Sequence, residues 1–323
     1  MIRRPRFELR IHGRRVVLGE RTLVMGVVNV TPDSFSDGGL YLDPKRAVEH
    51  GLDLVRQGAD WIDVGGESTR PGSKSIPPEE ELRRVLPVIE GLSKKLPSVT
   101  ISIDTTRAAV AEQALRAGAG IVNDVSGLRF DPQLAGVVRR YRATLVLMHL
   151  RGRPETMQQA PFARDIWRSL RGGLATSLRR ALAGGVSRSQ LIIDPGLGFG
   201  KSRRQNYEIL AGLERLKRFR LPILVGTSRK SFVQAIVRGQ GLDPMHRSSR
   251  SGLWPLMRDV GAGLAPPGSA GAQQAAPLQV GDAAAVVASI LGGAHIVRVH
   301  DVAAVLPAVR IADAVLKAVK SDE

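Results

Sequence analysis

Short apolar runs alternate along the chain with longer stretches in which apolar residues recur at helical spacing. The runs are rich in β-branched residues, which is typical of strands buried on both faces of a parallel sheet. The stretches between them repeat apolar positions at i, i+3, i+4 and i+7, which predicts helices with one buried face. We place eight strands at residues 23–30, 61–64, 100–104, 120–127, 144–150, 191–201, 222–232 and 295–301.

Eight strands alternating with helices predict an α/β fold of the (β/α)8 TIM-barrel type, with an open doubly wound sheet as the alternative. We treat residues 1–323 as a single domain. Residues 1–20 precede the repeat and predict a β-hairpin that turns at His12 and Gly13. Residues 239–281, rich in Gly, Ala, Pro and Ser, predict a long flexible insertion between the seventh and eighth strands.

Composition limits the chemistry and the location. The chain of 323 residues contains no cysteine, which excludes thiolate catalysis and cysteine-bound zinc. Its basic N-terminus lacks the apolar core of a secretory signal, and its longest apolar run, residues 283–297, is too short to cross a bilayer. We therefore expect a cytoplasmic protein with no membrane partner.

The formal net charge of +17 raises the question of a nucleic-acid partner. The arginines are scattered along predicted helices, and only 4% of residues are aromatic, so stacking platforms for bases are scarce. We expect a solvated basic surface and no nucleic-acid partner. A basic nucleic-acid-binding protein is the alternative from a different functional class.

Polar residues follow the apolar runs, and in a barrel they meet at the carboxyl ends of the strands. Asp104, Asn123 and Asp194 offer hydrogen-bond acceptors and one amide, which suits a planar heterocycle bearing amino and ring N–H groups. Asp63 lies at the same edge without an assigned role. Cationic side chains suited to anionic groups are Lys230, Arg70, Arg298 and His300.

Asn29, with Asp33 or Asp37 as further candidates, could hold magnesium, which prefers oxygen ligands shared with substrate phosphates. Simpler explanations exist for single residues, since an Asp after a strand is often a helix N-cap and His149 could equally be a core histidine. The stretch GLGFGKS is not a phosphate-binding P-loop, because Pro195 stands where that motif needs glycine.

Longer motifs resemble a known family. MGVVNVTPDSFSDGG, IDVGGESTRPGS, SIDT, IVNDVSG, MHLRGRPETMQ, LIIDPGLGFGK, GTSRKSF and IVRVHDV are similar, in order, to the motifs of bacterial dihydropteroate synthases. The resemblance implies a transferase of folate biosynthesis that joins 6-hydroxymethyl-7,8-dihydropterin diphosphate to p-aminobenzoate. It also implies magnesium, a homodimer and sensitivity to sulfonamides.

The resemblance assigns roles motif by motif. It implies pterin binding by Asp104, Asn123, Met148, Asp194 and Lys230. It implies a p-aminobenzoate pocket formed by Phe35, Thr69, Arg70, Pro71, Phe199 and Ser228. It implies diphosphate binding by Arg298 and His300, magnesium at Asn29, and catalytic roles for Asp104, Lys230, Arg70 and Asp37.

Departing diphosphate carries negative charge and leaves a cationic methylene on the pterin, so we expect SN1-like C–N bond formation assisted by the Asp104 carboxylate. One departure from the family pattern lies before the last strand, where Gln279, Val280, Gly281 and Asp282 replace an Arg and a Gly-Thr pair. Related alternatives are a non-catalytic pterin-binding paralogue and a methyltetrahydrofolate–corrinoid methyltransferase.

Overall fold

The computed structural model describes residues 4–31, 43–69, 72–73, 75–158, 162–242 and 270–318. Two antiparallel strands, β1 (Phe7–Ile11) and β2 (Arg14–Leu18), come first and pair from Phe7–Leu18 to Ile11–Arg14. The main sheet is parallel and contains β3 (Leu23–Asn29), β4 (Trp61–Gly65), β5 (Thr100–Asp104), β6 (Ile121–Asp124), β7 (Thr144–Met148), β8 (Leu191–Asp194), β9 (Leu224–Gly226) and β10 (Ile296–Val299).

Helices follow the strands and cover the outside of the sheet. They are α1 (Pro44–Arg56), α2 (Pro78–Lys95), α3 (Ala108–Arg116), α4 (Leu134–Tyr141), α5 (Ile166–Ala183), α6 (Arg203–Ala211), α7 (Ser231–Val237), α8 (Ala270–Leu291) and α9 (Val302–Ala318). Asp43 caps α1, because its side chain accepts a hydrogen bond from the Lys45 N–H and Pro44 occupies the first turn. No helix of the described residues is long and apolar enough to cross a membrane.

The sheet closes into a barrel. Its strands run in the order β8-β7-β6-β5-β4-β3-β10-β9, and a parallel bridge between Ile193 and Ile223 joins the two ends. The Ile193 N–H donates to the Pro222 carbonyl at 3.0 Å across that junction. The predicted eight-stranded TIM barrel is therefore confirmed.

The N-terminal hairpin closes the end of the barrel where the strands begin. Leu9, Ile11 and Leu18 are at most 2% exposed and form one apolar cluster with inward side chains of the barrel. These inward side chains belong to the first residues of the strands, namely Leu23, Met25, Trp61, Ile121, Val146, Ile192, Leu224 and Ile296. Because this end is filled with apolar side chains, only the opposite end is open to polar ligands.

Three predicted elements differ from the structure. The sixth and seventh strands end at Asp194 and Gly226, whereas the prediction extended them through the loops that follow. The predicted insertion is wrong at its end, because residues 270–281 form the first turns of α8. Small residues explain the missing periodicity, since a Cβ on Gly281 would lie 2.5 Å from Val237 Cγ2 where α8 meets α7. Residues 243–269 lie outside the described part of the chain.

Candidate active site

The register of the barrel brings the predicted polar residues together. Side chains alternate along a strand, so the residue two places after an inward apolar residue also points inward. Asp63 follows Trp61, Asn123 follows Ile121, and Arg298 follows Ile296 in this way. The same spacing places further inward residues at the open end, namely Met148 after Val146, Asp194 after Ile192 and Gly226 after Leu224.

Glycines in the sheet leave space for these side chains. Gly65 pairs with Asn29 on one neighbouring strand and with Asp104 on the other. A Cβ at Gly65 would lie 3.6 Å from Asp104 Cβ and 3.7 Å from Asn29 Oδ1. Gly226 pairs with Arg298, whose long side chain crosses the mouth of the barrel.

Arg298 joins two carboxylates at the centre of the site. Its Nε donates to Asp63 Oδ2 at 2.6 Å, and its Nη2 donates to Asp104 Oδ2 at 2.9 Å. Asn123 Nδ2 also donates to Asp63 Oδ2, at 3.0 Å. Asp63 is fully buried, and its Oδ1 has no hydrogen-bond partner among the described residues. One guanidinium thus holds two acids from adjacent strands in a fixed arrangement.

A narrow recess lies beside this cluster, with room for about one water molecule in a volume of about 20 Å³. Asp104, Asn123 and Asp194 supply polar atoms to it, as do Thr69, Lys230 and Arg298. Met148 and Phe199, which are 3% and 7% exposed, supply apolar surface. The lining therefore combines acceptors, an amide and flat apolar walls, which suits one edge and the faces of a planar polar ring.

Lys230 stands between this recess and a larger cavity. Its Nζ lies 4.0 Å from the centroid of the Phe199 ring, a cation–π contact. Lys230 lines both spaces together with Asp104, Phe199 and Arg298. The recess and the cavity are therefore continuous, and a ligand in either one would contact Lys230.

The outer cavity has a volume of about 720 Å³. Asn29, Thr69, Ser228 and His300 line it, as does Asp282 from α8. Asn29 Nδ2 lies 3.4 Å from His300 Nε2, and the His300 N–H donates to Ser228 Oγ at 3.3 Å. The residues predicted for diphosphate, metal and p-aminobenzoate thus share one cavity wherever the structure describes them.

Burial changes the proton affinity of the site's ionisable groups. Burial raises the pKa of Asp104 to about 7, while the nearby Arg298 guanidinium opposes the rise. Burial likewise raises the pKa of Asp194 to about 6, against the hydrogen bond from the Gly196 N–H. Loss of hydration lowers the pKa of the Lys230 ammonium to about 8, and Arg298 adds to that effect. These values lie close to neutrality, as is common in catalytic sites.

Lys201 is a structural residue of the site to which the sequence assigned no role. It is 2% exposed, and its Nζ donates to the carbonyls of His149, Gly196 and Phe199 at 3.0, 2.7 and 3.0 Å. These contacts join the loop after β7 to the loop after β8. Its signal in the sequence is its place in GLGFGKS, which is similar to a phosphate-binding loop but has Pro195 where that motif needs glycine.

His149 is a core residue, the simpler of its two interpretations. It is 5% exposed, and its Nε2 lies 3.5 Å from Ser169 Oγ of α5. Burial holds the pKa of His149 well below its ordinary value, so the ring is neutral. Four predicted site residues, Phe35, Asp37, Arg70 and Pro71, lie outside the described residues, as does the alternative metal ligand Asp33.

Comparison with known proteins identifies relatives over nearly the whole barrel. Residues 25–300 match the family described as "Pterin binding enzyme". A protein of Synechocystis named dihydropteroate synthase is 41% identical over 296 residues, which is 92% of this chain and 91% of that protein.

Solved structures give the same result. The Xanthomonas albilineans dihydropteroate synthase with 4-aminobenzoic acid is 38% identical, with a TM-score of 0.78 over 96% of this chain and 98% of that one. The same enzyme in complex with 7,8-dihydropteroate is 37% identical, with a TM-score of 0.75 over the same shares of both chains. The fold and most of the chain's length thus have counterparts in enzymes of one named activity.

Proposed function

The chain belongs to the pterin-binding enzymes, among the dihydropteroate synthases, and from that premise we propose how its residues carry out the reaction. The enzyme condenses 6-hydroxymethyl-7,8-dihydropterin diphosphate with p-aminobenzoate to give 7,8-dihydropteroate and diphosphate. The observation that carries the assignment of roles is the cluster of Asp63, Asp104 and Arg298 at the junction of the recess and the outer cavity.

The pterin enters the recess. Its amino and ring N–H groups donate to the Asp194 carboxylate, and Asn123 both donates to and accepts from the ring edge. Met148 packs against one face of the ring system. The recess has room for about one water molecule, so pterin entry requires the Lys230 side chain, which lines the recess, to move and contact the bound ring.

The diphosphate lies in the outer cavity beside Arg298 and His300. The bond between the exocyclic methylene carbon and the diphosphate oxygen breaks, and its electron pair leaves with the diphosphate. Arg298 and His300 stabilise the negative charge that develops there. The ionised Asp104 stabilises the cationic methylene, and the arylamine nitrogen then forms the new C–N bond and releases a proton. Asp37, outside the described residues, is the proposed proton acceptor.

Magnesium fits this site as a partner of the diphosphate. The described residues contain no group of three or more His, Cys, Asp or Glu side chains that could form a protein-only metal site. Asn29 offers one amide oxygen at the cavity, and magnesium is commonly bound by one or two protein oxygens together with substrate phosphates. The ion would supply charge neutralisation of the leaving group.

The p-aminobenzoate occupies the outer cavity with its amine directed towards the pterin. Thr69, Phe199 and Ser228 line that space, together with the proposed contributions of Phe35, Arg70 and Pro71. The enzyme acts in the cytoplasm as a homodimer that pairs through α7 and α8. An apolar groove of about 680 Å³ between α6, α7 and α8 supports this pairing, since exposed apolar patches of that kind mark interaction surfaces.

The direct test measures diphosphate release by the purified protein with pterin diphosphate and magnesium, with and without p-aminobenzoate. Release coupled to dihydropteroate formation is expected. Tight pterin binding without product would instead indicate a non-catalytic pterin-binding protein. Activity that requires a corrinoid and methyltetrahydrofolate would favour the methyltransferase alternative.

A further inference from the structure

A carboxylate of α8 points into the outer cavity and occupies hydrogen-bond donors there. Asp282 is 9% exposed and lies on the cavity wall. Its Oδ2 accepts from Ser228 Oγ at 3.0 Å, and its two oxygens accept from the Arg229 N–H at 3.0 and 3.2 Å. The turn that presents these donors has a left-handed residue, since φ of Arg229 is 57°.

The donors bound by Asp282 are those that an anionic ligand would use. Ser228 and Arg229 end the loop after β9, immediately before Lys230 of the reaction centre. A neutral hydroxyl and a backbone N–H that converge on one point form a carboxylate-binding arrangement. In this chain the protein's own carboxylate already fills it.

Charges of both signs line the cavity around that carboxylate. Asp301 adds a second negative charge, while Arg229, Lys230 and Arg298 are cations of the same lining. Burial raises the pKa of Asp282, and Asp301 contributes to the rise. His300 also contacts Ser228, with Nδ1 at 3.4 Å from Oγ. A carboxylate brought to this turn meets the Asp282 carboxylate, and the donors of the turn are already occupied.

We propose that Asp282 is a specificity-determining residue, which weakens the binding of a carboxylate-bearing arylamine by occupying the donors of Ser228 and Arg229. The inference rests on the proposed function, in which p-aminobenzoate lies in the outer cavity. The affinity of this site for an anionic arylamine therefore exceeds its affinity for a neutral one by less than it would if the Ser228 and Arg229 donors were free. A neutral arylamine of the same shape loses less affinity to Asp282 than p-aminobenzoate does.

Asp282→Asn tests the proposal. The amide keeps one acceptor oxygen for the turn but removes the charge and frees part of the donor capacity. The KM for p-aminobenzoate is expected to fall about tenfold, as removal of one nearby repulsive charge allows. The inhibition constant of the neutral isostere 4-aminobenzamide is expected to stay within about twofold. Because the lost repulsion acts equally on the bound substrate and on the transition state, kcat should stay unchanged.

Asp301→Asn is the matched control. It removes the same charge from the same cavity, but Asp301 bonds to Gln279 Nε2 and the Ala304 N–H and not to the Ser228 turn. We expect a smaller change in the ratio of the KM for p-aminobenzoate to the inhibition constant of 4-aminobenzamide. An equal change would overturn the donor argument and leave only a general charge effect.

Two further outcomes separate the inference from the proposed function. If Asp282→Asn weakens both arylamines equally, Asp282 serves only to hold the turn, and the inference is wrong. If the parent enzyme forms no product from p-aminobenzoate at all, the proposed function itself fails. Pterin diphosphate affinity, measured by calorimetry without arylamine, should remain the same in the parent and both variants.

Discussion

Asp104 shares the Arg298 guanidinium with Asp63, so the charge of Asp104 can be removed without leaving Arg298 unpaired. In Asp104→Asn, Arg298 keeps its ion pair with Asp63, so the buried cation is not left alone. The electrostatic support of the cationic methylene is lost, and kcat should fall about 100-fold or more. Single-turnover kinetics with pterin diphosphate and p-aminobenzoate would measure the loss.

The control for this variant is Asp53→Asn, which removes the same charge from an exposed position on α1. It should leave kcat unchanged. Full turnover by Asp104→Asn would refute the electrostatic role of this carboxylate.

The pH dependence of kcat/KM should be bell-shaped. Activity rises with pH as Asp194 and Asp104, with pKa values of about 6 and about 7, lose their protons and become acceptors for the pterin and the methylene cation. It falls again as Lys230, with a pKa of about 8, loses its charge. Because these groups interact, the two midpoints belong to the cluster as a whole.

Lys230→Arg separates the two limbs of that profile. A guanidinium does not titrate in this range, so the falling limb should disappear while the rising limb stays in place. A falling limb that survives in the variant would assign it to a different group, such as Lys201, whose pKa burial lowers to about 7.

The loops after β7 and β8 depend on Lys201 as one unit. Lys201→Met leaves the three carbonyls that it binds without a donor, which should cost about 2–4 kcal/mol of unfolding free energy. Pterin affinity should also fall, because Met148 and Asp194 stand on the strands that precede those loops. Denaturant unfolding and calorimetric titration of the pterin would measure the two effects.

Lys95→Met is the matched control, since Lys95 is an exposed residue of α2 that pairs with Glu49 at the surface. Its effect should stay within about 0.5 kcal/mol. Unchanged stability in Lys201→Met would show that water replaces the ammonium without cost.

The hairpin should matter for stability and not for catalysis. Leu9→Ala opens a gap in the apolar cluster at the closed end of the barrel, and such truncations cost about 2–5 kcal/mol. Glu8→Ala, on the exposed face of the same strand, should cost little. Thermal unfolding would show the difference, with the same KM values in both variants. A raised KM in Leu9→Ala would mean that the two ends of the barrel are coupled.

Much of this architecture follows from local pattern. The carboxyl ends of the strands meet at one mouth of a barrel, which predicts that Asp104, Asn123, Asp194 and Arg298 lie together, and the structure brings them there. Their pairing was not predictable, because nothing in spacing tells whether Arg298 binds a phosphate or the Asp63 and Asp104 carboxylates.

Loop residues limited the prediction in a different way. Pro195 and the glycines after it continue the apolar character of β8 although they form a loop, so that strand was predicted too long. The start of α8 was missed because its sequence lacks an amphipathic pattern, while Gly281 lets the helix approach α7 closely. Asp282 falls in that helix, and only the fold shows that it reaches the Ser228 turn.

For the whole molecule, the proposed homodimer gives the last prediction. Val280 of α8 is 69% exposed and precedes Gly281, which lines the apolar groove between α6, α7 and α8. If two copies pair there, Val280→Lys places a charge in the interface and should halve the mass in sedimentation equilibrium at micromolar protein. Ile311→Lys, at an equally apolar position of α9 that is 65% exposed, is the control and should stay dimeric.

A monomeric parent protein would overturn the pairing, and dissociation by Ile311→Lys alone would move the interface to α9. The result also bears on activity, because α8 carries Asp282 on the face opposite to solvent. An interface that holds α8 in place also holds Asp282 against the Ser228 turn. Val280→Lys should therefore loosen the contact between Asp282 and the Ser228 turn and lower the KM for p-aminobenzoate while leaving pterin affinity unchanged, and the monomer made by dilution of the parent should show the same change.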